Sequence, residues 1–148
     1  MTTTTPPIVY DDGGAWTAGF HVHAGDCVVR AFAIATERPY DEVRRDVLTL
    51  AKLEKPRKGS RRSRPRSGVA TPTIHLLAAA YGMTWTATMG IGTGTTVHVR
   101  SDELPATGRH VLRVTKHVCA LIEGVIHDMQ DPSRDGTRAV YGYWSVED

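Results

Sequence analysis

The chain contains 148 residues, of which 41% are hydrophobic and 23% are charged, and its formal net charge is +2. This length predicts a single domain, 1–148, with its own hydrophobic core, and the composition is that of a soluble globular protein. No apolar run approaches the roughly 18–20 residues that a membrane-spanning helix needs, so no such helix is expected. Residues 1–7 are mostly threonine and proline, so we expect a disordered N-terminus. They lack the basic start and apolar centre of a secretory signal, so we expect a cytoplasmic protein.

The first half of the chain is predicted to be helical after an ordered loop. Residues 8–24 show no sustained helical or strand period. Residues 26–36 are apolar on nearly every side, which is typical of a helix at the centre of a domain. Asp26 suits the N-cap position and so places Cys27 in the first turn. A second helix is predicted to start near Pro39.

The positive charge is concentrated in one basic segment, which we define as Lys52 to Arg66. Eight lysines and arginines there face a single acid, Glu54, and the rest of the chain is acidic on balance. Glycine, serine and proline are mixed with these charges, so residues 55–70 are predicted to form a mobile loop. Dense arginine suits phosphate or carboxylate groups, which makes nucleic acid or an acidic protein a candidate partner. The residues expected to contact such a partner are Arg57, Lys58, Arg61, Arg62, Arg64 and Arg66.

The second half of the chain is predicted to begin with a helix and to continue as strands. The third helix runs from Thr71, a suitable N-cap followed by proline, to Tyr81, and Gly82 ends it. Beyond Gly82 the pattern is that of strands, with Glu123-Gly124 as a tight turn. The strands are expected at 84–89, 96–100, 110–115, 117–123, 125–128 and 139–144. N-terminal helices packed on a C-terminal antiparallel sheet form an α+β domain.

The segment from His23 to Cys27 carries the strongest indication of chemistry. A thiol in the first turn of a helix meets the positive end of the helix dipole and unpaired backbone N–H groups, and both stabilise the thiolate. The same N–H groups can hold the oxyanion that forms when a thiolate attacks a carbonyl. Cys27 is therefore predicted to be a reactive nucleophile.

A base for this thiol is predicted at His117, which starts an apolar strand that must lie in the sheet. A third group should orient the imidazole, and Asp131 or Asp128 lies one hairpin further along the chain. Asp131 is slightly favoured, although turn chemistry explains either aspartate. The predicted site is thus Cys27, His117 and Asp131, with Asp128 as the alternative orienting acid.

The order of these residues resembles the papain-like cysteine peptidases, which have a cysteine on a central helix, a histidine at a strand start and Asp-Pro shortly after it. The chain is most similar to the bacteriocin-leader peptidases, with their Asp-Cys at the helix start and Asp-Pro after the histidine strand. The stretch from Gly25 to Trp144 also resembles a group of small uncharacterised bacterial and phage proteins, which implies no function. A chain encoded by a phage would act in the host cytoplasm.

The resemblance to papain-like peptidases implies a papain-like fold and a catalytic triad. Cys27 matches the nucleophile, His117 the general base and Asp131 the orienting acid, and the substrate would be a protein or peptide. One position departs from the pattern, because those peptidases usually place a glutamine six residues before the cysteine, where this chain has His21. A histidine N–H can donate the same hydrogen bond, so His21 and the nearby His23 are the oxyanion candidates.

Cys27 can also be interpreted without a catalytic role. Cysteine is among the most buried residue types, so both Cys27 and Cys119 fit a packed core, and Cys119 is expected to be no more than that. A disulfide between them is not expected in a cytoplasmic chain. A zinc site of His21, His23, Cys27 and His117 is chemically acceptable, but the paired spacings of zinc motifs are absent. No metal and no cofactor is therefore predicted.

Two functions are compatible with these patterns. The first is a thiol hydrolase that cleaves a peptide, isopeptide or other amide bond through an acyl-enzyme. The basic segment would then cover the cleft or recruit an acidic substrate. The second is a catalytically inactive bacterial or phage accessory protein that binds nucleic acid or an acidic protein through the basic segment. A fold shared by active and inactive proteins does not decide between them.

Overall fold

The computed structural model describes residues 5–21, 25–55, 61–90 and 92–147. Within these ranges, three helices and six strands form a mixed α+β fold. In chain order the elements are β1 (Ile8–Tyr10), α1 (Cys27–Thr36), α2 (Tyr40–Ala51), α3 (Thr71–Ala80), β2 (Met83–Ala87), β3 (Arg109–Val114), β4 (His117–Ile122), β5 (Val125–Asp128) and β6 (Val140–Val146). The helices precede β2 to β6, which confirms the predicted order of N-terminal helices and a C-terminal sheet.

The six strands form one sheet in the order β1-β5-β4-β3-β6-β2. Strand β1 pairs in parallel with β5, placing Ile8 opposite Ile126, while the other pairings are antiparallel. The predicted purely antiparallel sheet is therefore wrong at this edge. The sequence pattern does not predict strand β1, because its three residues are all exposed and show no alternation. The preceding Pro7 also belongs to the sheet, since its carbonyl accepts the N–H of Ile126 at 2.8 Å.

The predicted strand 96–100 is the second difference. This stretch runs beside the start of β6, but in the described residues it forms only an isolated bridge between His98 and Ala139. Its apolar Val99 is fully buried, so the pattern there reflects core packing without a strand ladder. The predicted Glu123-Gly124 turn is confirmed, and the φ angles of 48° and 78° suit a two-residue hairpin turn.

Helix α1 lies between the sheet and α2, while α3 packs against α2 and against β2. Its buried side chains cover almost its whole circumference, as the apolar sequence predicts, because α2 packs on one side and β4 and β3 on the other. Phe32 packs against Trp144 of β6, with ring centroids 5.6 Å apart. The opposite face of the sheet has a core of its own, formed by Leu112, Leu121 and neighbouring residues.

The C-terminal end of α1 is held to the sheet by hydrogen bonds. Glu37 adopts a left-handed conformation and its N–H caps carbonyls of the last turn. The guanidinium of Arg109, at the start of β3, donates to the carbonyls of Ala35 at 2.8 Å and Ile34 at 2.6 Å. A helix fixed in this way holds its first residue, Cys27, in a defined place relative to the sheet.

The basic segment is attached to the domain through its one acid. Glu54 accepts a hydrogen bond from the backbone N–H of Ser63 at 2.7 Å and another from the hydroxyl of Thr73 in α3. Residues 61–70 are therefore packed against the domain in part. Residues 56–60 lie outside the described ranges, and the predicted mobility of the loop stays a prediction.

No helix in the described ranges is long and apolar enough to cross a membrane. The predicted disordered start, residues 1–7, falls mostly outside these ranges, which begin at Thr5.

Candidate active site

Cys27 is the first residue of α1, and its thiol is surrounded by groups that favour a negative charge. The thiol is hydrogen-bonded to His117, and the backbone N–H of Val118 donates a second bond to the sulfur. Burial disfavours the thiolate. The two hydrogen bonds and the positive charges of His117 and Arg30 outweigh that burial, so the pKa of Cys27 lies below its ordinary value of 9.0. The dipole of α1 acts in the same direction.

His117 is the first residue of β4, directly after the turn that joins β3 to β4. Its Nε2 lies 2.7 Å from Oδ2 of Asp128, which leaves Nδ1 as the ring nitrogen for Cys27. Burial would lower the pKa of the imidazole, but the hydrogen bonds to Asp128 and Cys27 raise it to about 9. The lowered pKa of Cys27 and the raised pKa of His117 both favour the form of the pair with a thiolate and an imidazolium.

The carboxylate beside His117 belongs to Asp128, the last residue of β5, whose side chain is only 6% exposed. Because a two-residue turn joins the antiparallel strands β4 and β5, the end of β5 lies next to the start of β4. The second carboxylate oxygen, Oδ1, accepts the N–H of Met129 at 2.7 Å and so fixes the orientation of the group.

Asp131, the aspartate favoured from the sequence, is not the one that contacts His117. Its Oδ1 accepts the backbone N–H of Ser133 at 2.9 Å in a local turn, and its side chain is exposed. The Asp-Pro pattern therefore marks a turn here, and the alternative, Asp128, takes the position beside the imidazole.

A buried charge network lies behind Asp128, and the sequence analysis did not identify it. Arg30, one turn along α1 from Cys27, pairs with Oδ1 of Asp26, and its Nη2 lies 3.6 Å from Oδ1 of Asp128. Asp26 is fully buried, and the hydroxyl of Tyr40 donates to its Oδ2 at 2.8 Å. The network thus links the start of α1 to the carboxylate that orients His117.

The predicted N-cap position of Asp26 and the place of Cys27 in the first turn are confirmed, but the network takes up the Asp26 side chain. Asp26 occupies the N-cap position of α1, but its side chain makes no capping hydrogen bond and is directed at Arg30 instead. The spacing of four residues between Asp26 and Arg30 was the available signal, since such pairs meet on one face of a helix. Thr71, by contrast, is not the predicted N-cap, because Ala70 holds that position and Thr71 is the first residue of α3.

Two cavities meet at the Cys27–His117 pair. Residues that line both are Gly25, Cys27, Lys116 and His117. The Asp128 cavity, of about 340 Å³, continues along Arg30, Asp128, Asp131 and Arg138. The Arg113 cavity, of about 240 Å³, continues along Val28, Val69, Ile74, Arg113 and Tyr141. An extended substrate laid across the pair would occupy both.

His21, one of the two oxyanion candidates, is not placed at the thiol. The ring of His21 stacks on Trp16 at 3.8 Å, its Nε2 lies 3.1 Å from the Trp16 carbonyl, and it lines neither cavity. His23 lies outside the described residues. The first-turn N–H groups of α1, which lack a side-chain cap, are the donors that the structure places beside Cys27.

Cys119 is a packed thiol, as predicted. It is 2% exposed in the second core, and burial raises its pKa well above the ordinary value. Both cysteines are free.

The described part of the basic segment is divided between exposed and packed arginines. Three of them have exposed side chains: Arg61, Arg62 and Arg64. Arg66 is partly buried, with its guanidinium 5.0 Å from the ring centroid of Phe20. The two other predicted contact residues lie outside the described ranges: Arg57 and Lys58.

In the described part of the chain, no group of three or more His, Cys, Asp or Glu side chains could hold a metal ion, and His23 of the alternative zinc site falls outside it.

Comparison with protein families, curated proteins and solved structures finds no match to the chain. The functional conclusion therefore depends on the geometry around Cys27.

Proposed function

We propose that the protein is a papain-like thiol hydrolase that cleaves a peptide, isopeptide or other amide bond. One arrangement carries this proposal: the Cys27 thiol at a helix start bonds to His117, and His117 Nε2 lies 2.7 Å from Asp128. A thiol, an imidazole and an orienting carboxylate in this order are the parts of a nucleophilic acyl-transfer site.

The first half of the reaction forms an acyl-enzyme. The Cys27 thiolate attacks the carbonyl carbon of the substrate, and the negative charge moves to the carbonyl oxygen. The N–H groups in the first turn of α1 stabilise that oxyanion. The His117 imidazolium then gives its Nδ1 proton to the leaving nitrogen, the C–N bond breaks, and a thioester to Cys27 remains.

The second half releases the acyl group. Neutral His117 takes a proton from water, and the resulting hydroxide attacks the thioester carbonyl. The C–S bond breaks, the carboxylic acid leaves, and the thiolate and imidazolium are restored. Asp128 holds the ring orientation and stabilises the imidazolium at both stages.

A test that needs no knowledge of the natural substrate is acylation by p-nitrophenyl acetate. The wild-type protein should release a burst of p-nitrophenolate matching one site per chain and should carry an acetyl group on Cys27 in mass spectra. Turnover beyond the burst reports deacylation. Cys27→Ala should abolish the burst, and His117→Ala should slow both phases by about 100-fold.

Cys119→Ala is the matched control, because it removes the other thiol and should leave the burst intact. A wild-type Cys27 that acylates no faster than a free cysteine peptide would overturn the hydrolase proposal.

A second function is favoured by the exposed arginines of the basic segment. Arg61 and Arg64 make no ion pair with any described residue, so their charge is available to a phosphate or carboxylate partner. Binding of a fluorescent DNA or RNA oligonucleotide that weakens steeply with salt, persists in Cys27→Ala and is lost in the triple Arg61/Arg62/Arg64→Gln variant would support this function. Absence of binding at low salt would exclude nucleic acid as the partner.

A further inference from the structure

We infer that the Arg113 cavity binds a carboxylate of the substrate next to the scissile amide, so that the protein acts on acidic substrates. This specificity rests on the proposed hydrolysis at Cys27 and defines its substrate class. Arg113 and Lys116 would be the residues that determine it.

The charges around the two cavities are distributed unequally. Among its described lining residues the Arg113 cavity has two cations, Arg113 and Lys116, besides His117, and no aspartate or glutamate. The Asp128 cavity has Asp128 and Asp131 on its wall beside Arg30 and Arg138, and it shares Lys116 and His117 with the Arg113 cavity. The Arg113 side of Cys27 therefore presents cations with no described carboxylate among the lining residues, whereas on the other side two carboxylates partly offset the cations.

The guanidinium of Arg113 is positioned but not neutralised. Its Nη2 donates to the hydroxyl of Thr71 at 3.2 Å, and the group lies 5.1 Å from the ring centroid of Tyr141. No described carboxylate pairs with it. Two uncharged contacts thus fix the side chain while its other N–H groups stay available to a ligand.

Arg138 in the Asp128 cavity provides the contrast. Its Nε and Nη2 donate to the carbonyl of Thr115, and its Nη1 lies 3.4 Å from the carbonyl of Pro132. An arginine whose donors are occupied in this way supports the backbone, whereas Arg113 has donors left for recognition.

The walls and the size of the Arg113 cavity fit one side chain. Val28, Val69 and Ile74 line it, and its volume of about 240 Å³ is below the roughly 300–1,000 Å³ of sites for drug-sized ligands. Aliphatic walls exclude water, which strengthens a guanidinium–carboxylate pair. Lys116, in the turn directly before His117, adds a second cation at the mouth.

The first test uses two small reagents that differ in charge. Iodoacetate and iodoacetamide both alkylate the Cys27 thiolate, forming a C–S bond and releasing iodide, but only iodoacetate is an anion. We expect the rate ratio of iodoacetate to iodoacetamide to be higher for Cys27 than for glutathione at the same pH. Arg113→Gln combined with Lys116→Gln should lower that ratio at least about twofold.

Arg45→Gln is the control, since Arg45 is an exposed arginine on α2 whose Nε pairs with Asp41. The ratio should not change in this variant. A ratio that is equal in the wild type and the double variant would overturn the inference. Rates for both reagents no faster than those of glutathione would instead overturn the proposed function.

The second test distinguishes the two sources of a carboxylate. Peptides carrying glutamate or glutamine on either side of one amide, and peptides ending in a free or an amidated C-terminus, are compared by mass spectrometry. We expect cleavage of the carboxylate-bearing member of a pair to be about tenfold faster, and the double variant to lose this preference. Preference for the glutamate peptides indicates a side-chain carboxylate, and preference for the free terminus indicates a terminal one. Cleavage without either preference contradicts the inference.

Discussion

Oδ2 of Asp128 lies 2.7 Å from Nε2 of His117, and this contact determines which ring nitrogen faces Cys27. With Nε2 occupied, Nδ1 is the atom that exchanges a proton with the thiol and, in the proposed reaction, with the leaving amine. The carboxylate is 6% exposed, so its charge acts on the imidazole with little screening by water. Asp128 is therefore a positioning residue whose effect on His117 can be measured separately from its effect on folding.

We predict that Asp128→Asn lowers the pKa of His117 and reduces the rate of Cys27 acylation by about 100-fold at neutral pH. Asparagine removes the negative charge and keeps at most a neutral hydrogen bond, so the imidazolium loses one of the interactions that raise its pKa to about 9. NMR titration of the His117 ring gives the pKa, and the p-nitrophenyl acetate burst gives the rate. Asp131→Asn is the matched control, because its side chain can still accept the Ser133 N–H and should leave both quantities near wild type. The reverse ranking of the two variants would restore Asp131 as the orienting acid.

Most of the fold could be predicted from the sequence, because its elements have strong local patterns. The stretch that forms α1 is apolar on nearly every side, and the short apolar stretches that form β3 and β4 are buried on both faces of the sheet, so each can be recognised locally. Strand β1 could not be predicted, since its three exposed residues are held by pairing with β5. That pairing joins residues more than 100 positions apart, and no local pattern records it.

The site was predictable in its nucleophile and base but not in the groups behind them. Cys27 and His117 could be identified because one lies at the start of a helix and the other at the start of a strand, and both are local features of the sequence. The choice between Asp128 and Asp131 depends on where β5 ends, and element ends are the least predictable part of a pattern. Arg30 was overlooked because an arginine in an apolar helix resembles a surface residue until its two buried carboxylates are seen.

The pH dependence of alkylation should differ from that of amide cleavage. Alkylation needs only the thiolate, so its rate should fall at acid pH as Cys27 is protonated and should persist above pH 9. Amide cleavage also needs a protonated His117, whose pKa is about 9, so its rate should fall above that pH. Iodoacetamide labelling and cleavage of one substrate peptide across pH 4–10 provide the comparison. A common alkaline limb for both reactions would contradict the role of His117 as the acid.

The buried pair of Arg30 and Asp26 should be important for stability. We predict that Arg30→Met costs about 3–5 kcal/mol of unfolding free energy, because it removes a cation that is paired with the fully buried Asp26 carboxylate. Tyr40→Phe should cost about 1–2 kcal/mol, since Asp26 loses one hydrogen bond and keeps Arg30. Urea denaturation measures both.

The double variant Asp26→Asn with Arg30→Met is the control for that interpretation. Removing both charges together should cost less unfolding free energy than the sum of the costs of Asp26→Asn and Arg30→Met made separately. Strict additivity would show that Arg30 contributes through its packing and not through its charge.

Gly142 in β6 provides a test of the sheet that is independent of the catalytic proposal. A Cβ at this position would overlap the ring of Trp85 and the carbonyl of Thr86 on the adjacent strand β2. We predict that Gly142→Ala costs about 1–3 kcal/mol, because Trp85 packs against Trp144 with ring centroids 4.6 Å apart and has little room to move. Gly90→Ala, whose Cβ would meet only a side chain at 3.4 Å, should be close to neutral. Adding Trp85→Phe to Gly142→Ala should recover part of the loss in urea denaturation. A Gly142→Ala variant as stable as the wild type would contradict the close contact between β2 and β6 at this position.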